Sequence, residues 1–265
     1  MRVLAVANQK GGVGKTTTAI NLGTALAAVG ENVLLIDSDP QGNASTGLGV
    51  PSARRTRTLY DVLMDDFPIS AAVIPSLVPN LSLVASDPDL AGVELELAQH
   101  ARRAFKLKDA LQAVRDAGTC DYVLIDCPPS LNLLTLNAMA AADAVFVPLQ
   151  CEFFALEGLT QLLGTIERVR ATLNSGLEVQ GVVLTMYDRR SGLSAHVERD
   201  VREHLGDQVY QTVIPRNVRV SEAPSFGKPA LIYDLKCAGS QAYLQLAKEV
   251  IARERKARPT AIATA

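Results

Sequence analysis

The glycine-rich segment at residues 8–17 constrains the fold more than any other part of the chain. An apolar run at residues 3–7 comes before it, and the apolar spacing of residues 18–27 after it is typical of a helix. Glycines let backbone N–H groups converge on an anion, and a helix N-terminus adds positive potential. A strand, a glycine-rich turn, Lys-Thr and a helix in that order predict a phosphate-binding loop.

The residues of this loop have separate predicted roles. Lys15 is predicted to contact the β- and γ-phosphates of a nucleotide, and the Thr16 hydroxyl to bind Mg²⁺. Gln9 stands where the usual pattern has glycine, and an additional lysine, Lys10, precedes the glycines. The loop residues that we predict to bind the nucleotide are Lys10, Gly11, Gly12, Val13, Gly14, Lys15, Thr16 and Thr17.

Two more apolar runs, at residues 33–36 and 122–125, are predicted strands, and an aspartate follows each of them. Acidic residues at the carboxyl end of a strand lie where α/β sheets bind ligands. Asp126 is therefore predicted to hold Mg²⁺ together with Thr16. For Asp37 and Asp39, after the first of these strands, a turn with a cap for a helix near Asn43 is the alternative.

Strands alternate with helices along the whole chain, without a repeat or a low-complexity linker. This order predicts an α/β fold of the P-loop NTPase kind, with a mostly parallel twisted sheet and helices on both faces. We expect one domain over residues 1–256 and a disordered tail over 257–265. Further predicted elements are helices over 90–99 and 242–255, a strand over 209–214, and a helix capped by Asp87.

The bulk properties are those of an ordinary globular protein, because 48% of the 265 residues are hydrophobic and 20% are charged. The four cysteines show no C-x-x-C spacing, which argues against a zinc site and favours a reducing cytoplasmic compartment. No apolar run approaches the length that crosses a membrane.

Lys10-Gly11-Gly12 with Lys15-Thr16 resembles the deviant Walker A loop of the ParA/MinD ATPases. The segments at 187–190 and 214–229 resemble ParA/Soj proteins specifically. The resemblance implies that Lys10 reaches across a dimer interface to the partner's nucleotide. It also implies that Asp39 orients or deprotonates the attacking water and that Asp37 supports the Mg²⁺ shell. Residues predicted to surround the adenine are Met186, Asp188, Pro215, Arg216 and Asn217.

The resemblance also implies a function, that of a chromosome- or plasmid-partitioning ATPase with Lys10, Lys15 and Asp39 as catalytic residues. ATP binding would form a homodimer that coats nucleoid DNA without sequence preference. Hydrolysis, stimulated by a ParB-type centromere-binding partner, would release it. Because the chain starts at the strand before the loop, we expect no N-terminal winged-helix extension.

Charge is unevenly distributed in the sequence. The formal net charge is −2, yet residues 181–265 hold thirteen Lys and Arg against nine Asp and Glu. A basic surface in this third would bind DNA phosphates through counterion release. An ordinary solvated surface, with Glu198, Asp200 and Glu203 as helix partners, is the alternative. The predicted DNA contacts are Arg190 and Arg219, with Arg202 and Lys228 in support.

Two other functions compete with this interpretation. A MinD-like membrane-binding switch needs a basic, amphipathic C-terminal helix, whereas residues 256–265 contain a proline and one large apolar residue. A reductase with a dimer-bridging iron–sulfur cluster needs several placed cysteines, of which Cys127 alone is suggestive. We therefore expect no membrane partner.

Overall fold

A single seven-stranded sheet forms the centre of the computed structural model, which describes residues 1–257. The strand order is β3-β4-β2-β5-β1-β6-β7, and every neighbouring pair is parallel except β3–β4. The predicted α/β fold with a mostly parallel sheet is therefore confirmed. The strands are β1 (Arg2–Val6), β2 (Val33–Asp37), β3 (Val73–Pro75), β4 (Leu81–Val84), β5 (Tyr122–Asp126), β6 (Ala144–Gln150) and β7 (Glu178–Thr185).

Helices cover both faces of the sheet, each over its own apolar core. One core lies beneath α3 to α9, and the other lies beneath α1, α2 and α10 to α12. The helices are α1 (Lys15–Ala28), α2 (Asn43–Gly47), α3 (Leu59–Met64), α4 (Ile69–Ala72), α5 (Val93–Glu96), α6 (Lys106–Ala117), α7 (Leu133–Ala141), α8 (Ala155–Thr172), α9 (Gly192–Leu205), α10 (Val218–Glu222), α11 (Ala230–Tyr233) and α12 (Ala238–Ala257).

The register of the central strands brings the predicted site together. Strand β5 lies between β1 and β2, with Asp126 opposite Val6 on one side and opposite Asp37 on the other. All three strands are parallel, so their carboxyl ends share one edge of the sheet. The loop after β1 and the two strand-terminal aspartates therefore meet at that edge.

The segment predicted as a strand over 209–214 is not a regular strand. It has one isolated bridge, at Val209, and Tyr210 N and Ile214 N donate to Val182 O and Leu184 O of β7 at 2.9 and 2.8 Å, without a continuous ladder. Between these two bonds, side chains pair with the backbone of the segment. Arg202 Nη2 donates to Tyr210 O at 3.1 Å, and the Glu249 carboxylate accepts from the backbone nitrogens of Gln211 and Thr212 at 2.8 and 3.0 Å. These bonds satisfy backbone groups that a ladder would otherwise pair.

Other boundaries differ from the sequence prediction. The helix predicted over 90–99 is split into a 3₁₀ turn at Pro88–Gly92 and the short α5. Asp87 caps that turn as predicted, since its side chain accepts from Asp89 N. The last helix begins at Ala238 and reaches Ala257, and the rest of the predicted tail lies outside the described residues. Within residues 1–257 no helix is both long enough and apolar enough to span a membrane.

Candidate nucleotide-binding site

The loop between β1 and α1 has the backbone geometry that an anion site requires. Gly12 and Gly14 have φ angles of +74° and +86°, which favour glycine. The Thr185 hydroxyl donates to Val13 O at 2.8 Å and anchors the loop to the end of β7. The first helical bond of α1 runs from Thr18 N to Gly14 O, which leaves the preceding N–H groups available to an anion.

Lys15, the first residue of α1, lies against this loop. Its side chain is buried, and Nζ donates to Lys10 O at 2.9 Å. Burial lowers the pKa of the Lys15 ammonium, whereas the carboxylates of Asp126 and Asp39 act in the opposite direction. A cation in this position is suited to contact phosphate oxygens held by the loop.

Asp37 and Asp126 form a pair of fully buried carboxylates at the sheet edge. Ser45 donates to Asp37 Oδ2 from its backbone nitrogen and its hydroxyl, at 2.8 and 2.7 Å. Burial raises the pKa of Asp37 to about 6, although these hydrogen bonds favour the charged form and act to lower the pKa. Burial also raises the pKa of Asp126 well above its ordinary value, the charge of Asp37 adds to the shift, and the nearby Thr16 hydroxyl opposes it.

The Asp126 carboxylate fits a divalent cation. Both of its oxygens are buried, and neither accepts a hydrogen bond of ordinary geometry within residues 1–257. A buried charge left without partners is costly, and a metal ion is one of the partners that compensates for it. Carboxylate and hydroxyl oxygens are the ligands that Mg²⁺ prefers. Thr16 and Asp126 are therefore the residues that would hold Mg²⁺, with Asp37 beside them.

Asp39 lies just beyond the end of β2, in a turn that fixes both its backbone and its carboxylate. Oδ1 accepts from Gln41 N at 3.0 Å, and the backbone oxygen accepts from the Ser86 hydroxyl at 2.5 Å. Asp39 is buried, with 8% of the residue exposed. Its charge reaches Lys15, so the turn places the carboxylate on the same side of the sheet edge as the loop.

Lys10 is bound within its own subunit. Nζ forms an ion pair with Glu152, two residues past the end of β6, and the backbone nitrogen donates to Asn8 Oδ1 at 3.0 Å. Both side chains of the pair are about two-fifths exposed, at 40% and 42%. The role of Lys10 at a second subunit stays a prediction, and Glu152 is a partner that the sequence analysis did not identify.

A cavity of about 90 Å³ next to the loop is lined by most of the residues that we predicted to surround the adenine. Met186, Pro215, Arg216 and Asn217 line it together with Gly14, Thr17 and Tyr243. Asn217 Oδ1 caps α10 by accepting from Arg219 N at 2.9 Å. Asp188 does not line this cavity, since its carboxylate instead accepts from Arg190 N and Nε at 3.0 and 3.3 Å.

Comparisons with known proteins agree with this geometry. A family model described as an AAA domain matches residues 1–179. The chromosome partitioning protein ParA of Caulobacter vibrioides is 71% identical over 255 residues, 96% of each chain. The chain belongs to the ParA/Soj family of chromosome-partitioning ATPases.

Two further proteins extend the match. The chromosome-partitioning ATPase Soj of Treponema pallidum is 50% identical over 253 residues, covering 96% of this chain and 98% of that protein. The crystal structure of cobyrinic acid a,c-diamide synthase from Mycobacterium smegmatis with bound ADP and magnesium superposes with a TM-score of 0.85. It is 38% identical and covers 100% of both chains.

The basic residues that we predict to contact DNA in this ParA/Soj protein differ in how free they are. Arg190 is 92% exposed, beside Asp188, and Lys228 is also exposed. Arg219 is about half exposed and pairs with Glu222 at 3.1 Å and Asp234 at 3.7 Å. Arg202 is mostly buried and is held by Glu198 Oε1 at 2.9 Å and by Tyr210 O. The structure therefore favours Arg190, Arg219 and Lys228 over Arg202 as available cations.

Proposed function

We propose that this chain is a magnesium-dependent ATPase that converts ATP and water to ADP and phosphate, and whose ATP-bound form partitions DNA. The observation that carries the proposal is the buried Asp126 carboxylate, which accepts no hydrogen bond of ordinary geometry within residues 1–257 and lies beside Thr16, at the start of the helix that follows the phosphate-binding loop. The ADP and magnesium in the related diamide synthase support the choice of ligands.

Each site residue has a role in this reaction. The loop amides and Lys15 bind the phosphates, and the cavity at Met186, Pro215 and Asn217 takes the adenine. Thr16 and Asp126 would hold Mg²⁺, which when bound would supply positive charge to the phosphate oxygens. Asp39 orients the water whose oxygen bonds to the γ-phosphorus while the bond to the bridging oxygen breaks. The water's proton passes to Asp39 or to the phosphate product.

The partitioning role adds a switch to this chemistry. ATP binding forms a homodimer in which Lys10 of each subunit contacts the partner's nucleotide, and the dimer joins two basic surfaces into one. Affinity for DNA depends steeply on the number of phosphates contacted together, so the dimer binds DNA of any sequence and the monomer does not. A ParB-type partner stimulates hydrolysis, and hydrolysis releases the protein from the DNA. The protein is therefore cytoplasmic and associates with the nucleoid while ATP is bound.

The test compares wild-type protein with Asp39→Ala in ATP, in ADP and without nucleotide. Light scattering reports the dimer, and fluorescence anisotropy reports binding to a duplex of arbitrary sequence. In ATP, we expect Asp39→Ala to remain a DNA-bound dimer, whereas the wild-type protein should form this DNA-bound dimer only transiently. Normal turnover by Asp39→Ala would refute its catalytic role. An ATP dimer that ignores DNA and sediments with anionic liposomes would refute the partitioning role.

A further inference from the structure

Arg55 makes an unusual number of hydrogen bonds for a residue outside the site's loop and strands. It follows the 3₁₀ turn at Ser52–Arg54. Its guanidinium donates five hydrogen bonds to four acceptor atoms. Nε donates to Val50 O at 3.1 Å, and Nη1 donates to Ser86 O at 3.1 Å. Nη2 donates to Thr46 Oγ1 at 2.8 Å, to Val50 O at 2.9 Å and to Gly42 O at 3.3 Å.

These acceptors surround the turn that carries Asp39. Gly42 closes the turn, with its backbone nitrogen donating to Asp39 O at 2.9 Å. Ser86, from the opposite side, donates its hydroxyl to the same oxygen at 2.5 Å. Arg55 accordingly binds the backbone oxygens of both residues that hold Asp39 in place.

The guanidinium is also in close packing contact with the turn. Gly42 has a φ of +63°, and a Cβ added there would lie 2.3 Å from Arg55 Nη1. The flat guanidinium thus occupies the space that a side chain at residue 42 would need. A planar fork with five donors satisfies several carbonyls in a fixed arrangement, which a lysine ammonium on a flexible stem does not reproduce.

We propose that Arg55 is a positioning residue for hydrolysis, which acts by fixing the turn that orients the Asp39 carboxylate. This inference rests on the proposed role of Asp39. Arg55 is not among the residues to which we assign contacts with the nucleotide or the attacking water. Displacement of a catalytic group by about 1 Å costs on the order of 100-fold in rate, so loosening the turn lowers turnover without removing any phosphate contact.

The test measures kcat at saturating Mg-ATP and the affinity for a fluorescent ATP analogue in Arg55→Ala and Arg55→Lys. The neighbouring Arg54→Ala is the matched control, because Arg54 is exposed and outside this hydrogen-bond cluster. We expect kcat to fall by roughly 10- to 100-fold in Arg55→Ala, with nucleotide affinity within about threefold of wild type. Arg55→Lys should recover only part of the loss.

Chemical rescue separates positioning from a general structural role. Millimolar guanidinium should raise kcat of Arg55→Ala severalfold and leave wild type and Arg54→Ala unchanged. A parallel loss of kcat and nucleotide affinity, without rescue, would overturn the inference. If Arg55→Ala does not fold, Arg55→Lys decides the question through the same split between kcat and affinity.

An Asp39→Ala variant, assayed in parallel, distinguishes the role proposed for Asp39 from the role proposed for Arg55. Normal hydrolysis by Asp39→Ala would refute the proposed function of that carboxylate and this inference with it. An inactive Asp39→Ala beside a fully active Arg55→Ala would refute the role of Arg55 alone.

Discussion

Lys15 and Thr16 make separable contributions to nucleotide binding, although they are adjacent in the chain. Lys15→Ala removes the buried ammonium that lies against the loop, and ATP binding should be lost with or without magnesium. Thr16→Ala removes one metal ligand, and only the magnesium-dependent part of the affinity should be lost. Titration of a fluorescent ATP analogue in magnesium and in EDTA checks both. Wild-type affinity in Lys15→Ala would contradict the assignment of the loop.

The buried carboxylates lower the stability of the ligand-free protein at neutral pH. The pKa of Asp37 is raised to about 6 and that of Asp126 is raised well above normal, so the folded state keeps protons that the unfolded chain releases above about pH 4. By linkage, this contribution favours folding at low pH and is lost as pH rises towards the folded pKa values.

Asp126→Asn should therefore be more stable than wild type in EDTA without nucleotide. The difference should grow as pH rises from about 4 to 7, because over this range the unfolded chain ionises at Asp126 while the folded wild type must either keep its proton or bury the charge. Urea unfolding at several pH values measures it, with the exposed Asp65→Asn as control. Saturating Mg-ATP should reverse the order, because only wild type keeps the metal ligand. A constant difference across pH would contradict the buried charge.

At the scale of elements, the loop after β1 and the segment between β6 and α8 are joined by the pair of Lys10 with Glu152. In the proposed dimer Lys10 must leave this partner to reach the other subunit. Glu152→Gln keeps the shape of the side chain and removes its charge. In an Asp39→Ala background, where ATP is not consumed, it should strengthen ATP-dependent dimerisation by about two- to fivefold, the effect expected of a half-exposed ion pair.

Sedimentation velocity measures this dimerisation, with the exposed Glu157→Gln on α8 as the matched control and Lys10→Ala as the variant that does not dimerise. Weaker dimerisation of Glu152→Gln would mean that the carboxylate is itself needed between subunits.

Some of the elements at the site could be predicted from the sequence alone, and others could not. The strands that carry the loop, Asp37 and Asp126 were predictable, because a short apolar run ending in polar residues indicates a buried parallel strand and its carboxyl end. The segment at 209–214 has a similar apolar composition, yet it bonds to β7 only at intervals, and Glu249 and Arg202, on α12 and α9, satisfy part of its backbone. The contacts of Arg55 with Ser86 and of Lys10 with Glu152 join residues that are far apart in the sequence, so no local sequence pattern predicts them.

For the whole molecule, DNA binding should depend on the number of cations that a dimer presents together. Arg219→Ala should keep ATP binding and dimerisation, and weaken binding to DNA of any sequence. The slope of log affinity against log salt should become shallower, because fewer counterions are released. Anisotropy at several salt concentrations measures the slope, and Arg202→Ala should change it less because Arg202 is held by Glu198. Wild-type binding by both Arg190→Ala and Arg219→Ala would place the DNA surface elsewhere.

The exposed arginines of that surface already have anions beside them. Asp188 lies against Arg190, and Glu222 and Asp234 lie against Arg219. These carboxylates are built-in competitors for the phosphates, so each contact with DNA is an exchange of one anion for another. In the proposed switch, this competition would keep the binding of DNA by a single subunit weak and would make release fast once the dimer separates. Asp234→Asn should accordingly tighten DNA binding by up to about threefold and slow dissociation, as stopped-flow anisotropy would show. A DNA-binding surface that carries its own anions would thus trade strength of binding for speed of release.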